Sequence, residues 1–204
     1  MFKKINFLIF GLVVAIGFSA CMKDDIEVYD FEKFLQIEAP VIEAYVKSVP
    51  ELQGAVRDSA TGIWFKVIDE GLQDKEDLEY YGYNINNSNR LEYPSIRAKY
   101  TGKLVESGAV FQESEIKTLT SLVSLLSAWQ IAFFPKNVLD KQGKPNFVGG
   151  LTEKGLQKGS KIRIVLPSPY GYQSQAQQSI PANSPLDFYI EVLEVRPPGA
   201  PSAN

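Results

Sequence analysis

The stretch 160–193, SKIRIVLPSPYGYQSQAQQSIPANSPLDFYIEVL, decides the fold. Ile162, Ile164 and Leu166 alternate with polar or outward positions, the period-two pattern of a strand buried on one face. Leu186, Phe188, Ile190 and Val192 repeat that pattern twenty or so residues later. Between the two runs lie Pro, Ser, Tyr, Gly and Gln, closing with Ile180-Pro181-Ala182-Asn183-Ser184-Pro185. The segment therefore reads as a strand, a tyrosine-bearing loop and a second strand.

Working outward, Ser95 to Leu104 forms another strong strand, in which Ile96, Ala98 and Tyr100 share a face and aim Tyr100 inward. Ser107-Gly108 supplies a turn, and Phe111 begins the next strand or a bulge. Thr61 to Gly71 reads as the first strand of the same sheet, with Trp64 as core or edge packing. A polar, tyrosine-rich excursion from Asp74 to Asn89 is expected to be an exposed loop or an irregular strand pair. Residues 28–47 look helical, with Phe31, Phe34, Leu35, Val41, Ile42, Tyr45 and Val46 approximating a stripe that Pro40 should kink or divide. That stripe suits packing on the domain or on a second copy, or binding a partner.

The ends read differently. Lys3 and Lys4 precede an apolar run from Phe7 to Phe18, too short for a comfortable membrane span. Phe18-Ser19-Ala20 then leads into Cys21, the sole cysteine of 204 residues, in an arrangement that resembles a bacterial lipobox. Residues 1–20 are accordingly expected to be a lipoprotein signal peptide and Cys21 the lipidated N-terminus, with an ordinary secretory signal as the alternative. Met22-Lys23-Asp24-Asp25 is either a sorting signal for the outer membrane or a solvated tether. Pro197-Pro198-Gly199-Ala200-Pro201 predicts a disordered tail over 197–204. One cysteine allows no disulfide within the chain, so the fold rests on its own core. A net charge of −3 without a basic cluster leaves no electrostatic footprint for nucleic acid. With no histidine in the chain, imidazole general-base chemistry is excluded.

Taken in order, Tyr100-Thr101-Gly102, Val110-Phe111, Leu125-Leu126-Ser127-Ala128-Trp129, Tyr172 with Ile180-Pro181, and Leu186-Asp187-Phe188 resemble the FKBP-type peptidyl-prolyl cis-trans isomerases. The resemblance implies an α+β fold, an FKBP-like antiparallel sheet wrapped around a short helix. An N-terminal helical segment and an insertion after the short helix are added to it. The expected division is a tether and helical segment over 21–56 and the FKBP-like domain over 57–196.

The middle of the chain aligns to the family in two ways. One places Gly149-Gly150-Leu151-Thr152-Glu153 before the short helix, with leucine replacing tryptophan on the pocket floor. The other, which we prefer, places Leu125 to Ala132 there, keeps Trp129 as the floor, and makes Lys136 to Thr152 an insertion. Trp129 as a core residue alone remains a third reading.

What the resemblance implies is a cup that grips a proline ring, with no cofactor and no metal. Trp129 would be its floor, with Phe111, Phe188 and Ile180 as walls and Tyr100 at one side. The Tyr172 hydroxyl would reach the substrate carbonyl, and the Leu126 N–H would be a second donor. Tyr172, Tyr100 and Trp129 are thus the candidate catalytic residues; Phe111, Gln112, Leu126, Ile180 and Phe188 are the substrate-binding ones. Gln112 stands where the family usually has an aspartate, and Gln173 where it has glycine. The expected activity is a lipid-anchored isomerase that helps exported proteins fold, acting on proline-containing polypeptides at the cell envelope. As an outer-membrane lipoprotein it would sit on the periplasmic or the surface face. A catalytically weak binding module on the same scaffold is the alternative.

Overall fold

The computed structural model describes residues 29–72, 83, 85–86, 91–140 and 142–198. The expected signal peptide over 1–20, Cys21 and most of the excursion after Asp74 lie outside the described residues, as does the tail beyond residue 198.

The long helix α1 (Phe31–Ser48) begins at Asp30, whose side chain accepts the Lys33 N–H at 3.0 Å. Glu32 in the first turn and Lys47 in the last suit the helix dipole. Of the two effects expected of Pro40, division of the helix does not occur: it lies inside one continuous helix. A proline removes one backbone donor and strands the carbonyl four residues earlier. Here Pro40 and Gln36 are both exposed, so water can satisfy that carbonyl. The inward face keeps Ile42 and Val46 of the anticipated stripe, with Tyr45 packed beside them, but its third buried member is Glu38, and Val41 is exposed.

The sheet is antiparallel and seven-stranded. Its strands are β1 (Val56–Arg57), β2 (Trp64–Asp69), β3 (Ser95–Leu104), β4 (Val110–Glu115), β5 (Thr120–Ser121), β8 (Lys161–Leu166) and β9 (Leu186–Arg196). The spatial order is β1-β2-β8-β9-β3-β4, with β5 paired to Ser95 and Ile96 at the start of β3. The short β1, which the sequence did not announce, precedes the strand at Trp64. Strands β8 and β9 pair so that Ile164 faces Phe188 and Val165 faces Asp187. The helix α2 (Ser127–Phe133) packs on the inner face, among Ile96, Ala98, Ile162, Ile164, Phe188, Ile190 and Val192. After α2, β6 (Asn137–Leu139) and β7 (Pro145–Phe147) form a hairpin turning at Asp140 to Lys144, the insertion on its own two-stranded sheet.

The strand at 161–166 is buried on both faces, not one. The reason is α1, whose Ile42 and Val46 join Leu52, Val105 and Val165 in a second cluster on the outer face, with Tyr45 and Trp64 against it. Arg163 and Asp187, outward positions in the alternation, are thereby buried together. The Arg163 guanidinium donates through Nε to Oδ1 at 2.9 Å and through Nη2 to Oδ2 at 2.5 Å. The Tyr45 hydroxyl donates to the same Oδ2 at 2.7 Å, which ties α1 to β9.

Burial, and then the bond to Asp187, push the Tyr45 hydroxyl from its ordinary 10.0 up to about 12. A raised pKa means that the folded state holds the proton more tightly, so this contribution is complete below pH 10 and disappears as pH rises through 12. The stability advantage of wild type over Tyr45→Phe should therefore be constant from pH 7 to 9 and shrink between pH 10 and 12. Denaturant unfolding of both proteins across that range checks it; a gap that widens with pH would contradict the assignment.

Candidate functional site

Trp129 lies in the first turn of α2, where the Leu126 carbonyl accepts the N–H groups of Trp129 and Gln130 at 2.9 and 3.1 Å. The Gln130 side chain reaches back to the Leu125 carbonyl at 3.0 Å and fixes the segment entering the helix. Tyr100 projects from the middle of β3 and meets the Trp129 indole edge-on, with centroids 5.1 Å apart at 89°. Phe188 on β9 meets the same indole at 5.7 Å and 82°, and Phe133 stacks on it at 6.3 Å. Edge-to-face geometry of this kind sets ring positions more tightly than area burial alone.

Tyr172 comes from the loop between β8 and β9. That loop opens with a turn in which the Ser168 carbonyl accepts the N–H groups of Gly171 and Gln173, at 2.9 and 3.1 Å. Ser127 at the start of α2 donates to the Tyr170 carbonyl at 3.1 Å, so helix and loop are joined beside the site. Gln173 has φ 54°, in the left-handed region that favours glycine and costs other residues roughly 1–2 kcal/mol. Its carbonyl takes the Asn183 N–H at 2.7 Å, which closes the loop onto itself.

These elements enclose a cavity of about 80 Å³, lined by Tyr100, Gln112, Ile116, Leu125, Leu126, Trp129, Tyr172 and Phe188. Six of the eight residues expected at the site line it. Phe111 and Ile180 do not. Phe111 lies across Gly102, where a Cβ would come within 2.4 Å of its ring, and packs edge-on against Phe188 at 5.7 Å. It braces a wall without forming one. Ile180 is pulled into the core by the tight Gln177–Ile180 bridge. Conversely, Ile116 and Leu125 line the cavity without having been singled out: Ile116 follows the end of β4, where the alternation stops, and Leu125 was only part of a motif. Trp64, on the outer face under α1, is packing, as expected.

Burial raises the Tyr172 hydroxyl above its ordinary value, and the neighbouring Tyr100 adds to the effect. Near neutral pH it is a neutral O–H, able to donate. Among the described residues, Gln112 makes no hydrogen bond to Tyr100, and the Leu126 N–H has no protein acceptor. The cavity thus combines an aromatic base with the hydroxyls of Tyr100 and Tyr172 and the Leu126 amide, for which no protein acceptor is found among the described residues. Larger clefts of up to about 350 Å³ lie elsewhere, among charged residues such as Lys99, Glu113, Glu115 and Glu191. Neither Trp129 nor Tyr172 lines them.

The sequence model of the FKBP-type peptidyl-prolyl cis-trans isomerases matches residues 91–193, which carry every lining residue of the cavity. The chain belongs to this family. Among FKBP relatives, the isomerase FkpA of Escherichia coli (strain K12) is 40% identical over 60 residues, covering 29% of this chain and 21% of that one. FK506-binding protein 4 of Saccharomyces cerevisiae is 43% identical over 42 residues, 21% of this chain and 11% of that protein. The matched stretch thus spans about a fifth or less of these relatives' own length. The crystal structure of FkpA from Escherichia coli superimposes with a TM-score of 0.51 at 21% identity, covering 84% of this chain and 64% of that one. The FKBP fold is thereby shared. Of the two alignments open in the sequence, the one with Trp129 agrees with the α-helix Ser127–Phe133, whereas among the described residues no α-helix follows Glu153.

Proposed function

We propose that this chain is a peptidyl-prolyl cis-trans isomerase, tethered to the cell envelope through a lipid on Cys21 and acting on proline-containing polypeptides as exported proteins fold. The observation that carries the reading is the Trp129-floored cavity with Tyr172 on its wall, in a chain of the FKBP family. Rotation about an X–Pro bond loses amide resonance and crosses roughly 20 kcal/mol. Lowering that barrier needs no nucleophile and no titrating base. The cup takes the ring out of water onto Trp129, while Tyr172 and the Leu126 N–H donate to the carbonyl as it twists out of conjugation. Both donors are held in place before the substrate arrives, so little reorganisation accompanies the twist.

At about 80 Å³ the cavity suits one small ring; drug-sized ligands occupy about 300–1,000 Å³. The lipid anchor rests on the Phe18-Ser19-Ala20-Cys21 sequence, and the outer membrane on the acidic run that follows it.

The alternative is a binding module with little turnover. Gln112 leaves Tyr100 without the charged acceptor usual in the family, and Gln173 strains the loop. A protease-coupled assay with a proline tetrapeptide separates the two. Wild type should accelerate cis-to-trans exchange, and Tyr172→Phe should lose about five- to ten-fold in kcat/KM, the equivalent of one hydrogen bond of about 1 kcal/mol. A wild-type rate equal to the uncatalysed one would sink the enzyme and leave the binding module.

A further inference from the structure

Glu38 is a carboxylate buried to 6% exposure in the middle of α1, a helix outside the matched family segment. Its Oε2 accepts the backbone N–H of Ser168 at 2.7 Å, and its Oε1 accepts the Ser168 hydroxyl at 2.6 Å. Since that hydroxyl has given its one proton to Glu38, the Tyr29 hydroxyl is the donor in the 2.9 Å bond between Tyr29 and Ser168. Phe31, in the first turn of the helix, sits edge-on against Tyr170 with centroids 5.2 Å apart. Ser168 is fully buried, and its carbonyl holds the N–H groups of Gly171 and Gln173, the two residues flanking Tyr172.

We infer that Glu38 is a positioning residue for the isomerase site: through Ser168 it fixes the turn that presents Tyr172 to the substrate. The inference rests on the proposed role of Tyr172. It gives the N-terminal helix a part in catalysis, although no residue of that helix lines the cavity. A carboxylate here is costly to bury, and burial pushes Glu38 above the ordinary carboxylate value, with the two bonds from Ser168 pulling the other way. An apolar residue would fill the space more cheaply. What it would not do is occupy both donors of Ser168 at once.

The test uses the full chain, with kcat and KM for a proline tetrapeptide and amide hydrogen exchange of the loop. Glu38→Ala should lower kcat by about tenfold with KM little changed, as expected for a displaced catalytic group. Glu38→Gln keeps an oxygen for the Ser168 N–H and should stay within about twofold of wild type. In the Tyr172→Phe background Glu38→Ala should cost nothing further, because the group it positions is already disabled. A general loss of folded protein would instead multiply the two effects. Exchange at Gly171 and Gln173 should quicken in Glu38→Ala while Ile190 is unchanged.

Wild-type kcat in Glu38→Ala, multiplicative losses in the double variant, or unaltered exchange at Gly171 and Gln173 would each overturn the inference. Should Glu38→Ala not fold, Ser168→Ala removes only the hydroxyl, and a loss of about threefold in kcat is expected; no loss counts against us. If the wild-type chain has no turnover, it is the isomerase reading that fails. The exchange measurement alone then decides whether Glu38 holds the loop.

Discussion

Asp187→Ala is expected to destabilise the fold by about 3–5 kcal/mol, the usual cost of removing one member of a buried ion pair. Asp187 is 1% exposed and receives three donors: Arg163 Nε, Arg163 Nη2 and the Tyr45 hydroxyl. Alanine leaves the guanidinium buried without its counter-charge. The nearest substitute, Glu51, stands 3.9 Å from Nη1 on an exposed side chain and offers a screened interaction of little worth. Tyr45 loses its acceptor at the same time, which loosens α1 over the sheet. Replacing both partners by apolar residues, as in Arg163→Met with Asp187→Leu, should recover most of the loss, because the penalty lies in the orphaned charge. Urea midpoints of the two proteins check this. A single-variant cost under about 1 kcal/mol would mean that water reaches the pair.

Trp129→Leu should strike stability and activity together. The indole is 4% exposed and is held by Tyr100, Phe133 and Phe188 on three sides. Leucine fills only part of that volume, and the void and lost ring contacts are expected to cost about 2–4 kcal/mol. With the floor gone, the proline ring has no flat apolar surface to rest on, and kcat/KM per folded molecule should fall by roughly 10- to 100-fold. Two separate measurements are needed, the unfolding midpoint and the rate normalised to folded protein. A variant that loses stability but turns over like wild type would make Trp129 a core residue alone, one of the readings open in the sequence.

What the sequence disclosed was what lies in short, regular patterns. Tyr100, Phe188 and the pair of strands around Tyr172 sit on period-two faces, and Trp129 stands in a motif of adjacent residues. Gln173 was marked as a departure from glycine, and its left-handed φ of 54° is the physical content of that mark. What stayed hidden depends on contacts across the chain. Glu38 meets a loop 130 residues away, and nothing periodic identifies a glutamate in an amphipathic helix as one of its buried residues. Arg163 and Asp187 fit the polar phase of their strands, and only the presence of α1 turns that phase into a second interior. Tyr83, in a stretch expected to be exposed, is buried with its hydroxyl donating to the Leu156 carbonyl at 2.6 Å. Its ring meets Phe134, a pairing across some fifty positions that local composition does not encode.

The second cluster under α1 also fixes where the chain can be shortened. The family match begins at residue 91, and the sheet at Val56. Neither is a safe cutting point. A fragment starting at Val56 would present Val165, Trp64 and Val105 to water, together with the Arg163–Asp187 pair, on a face built to be covered. Exposed apolar patches of that kind favour self-association. The smallest unit that keeps its own interior closed therefore begins no later than Tyr29, and the N-terminal helix travels with the FKBP-like sheet wherever the gene is trimmed.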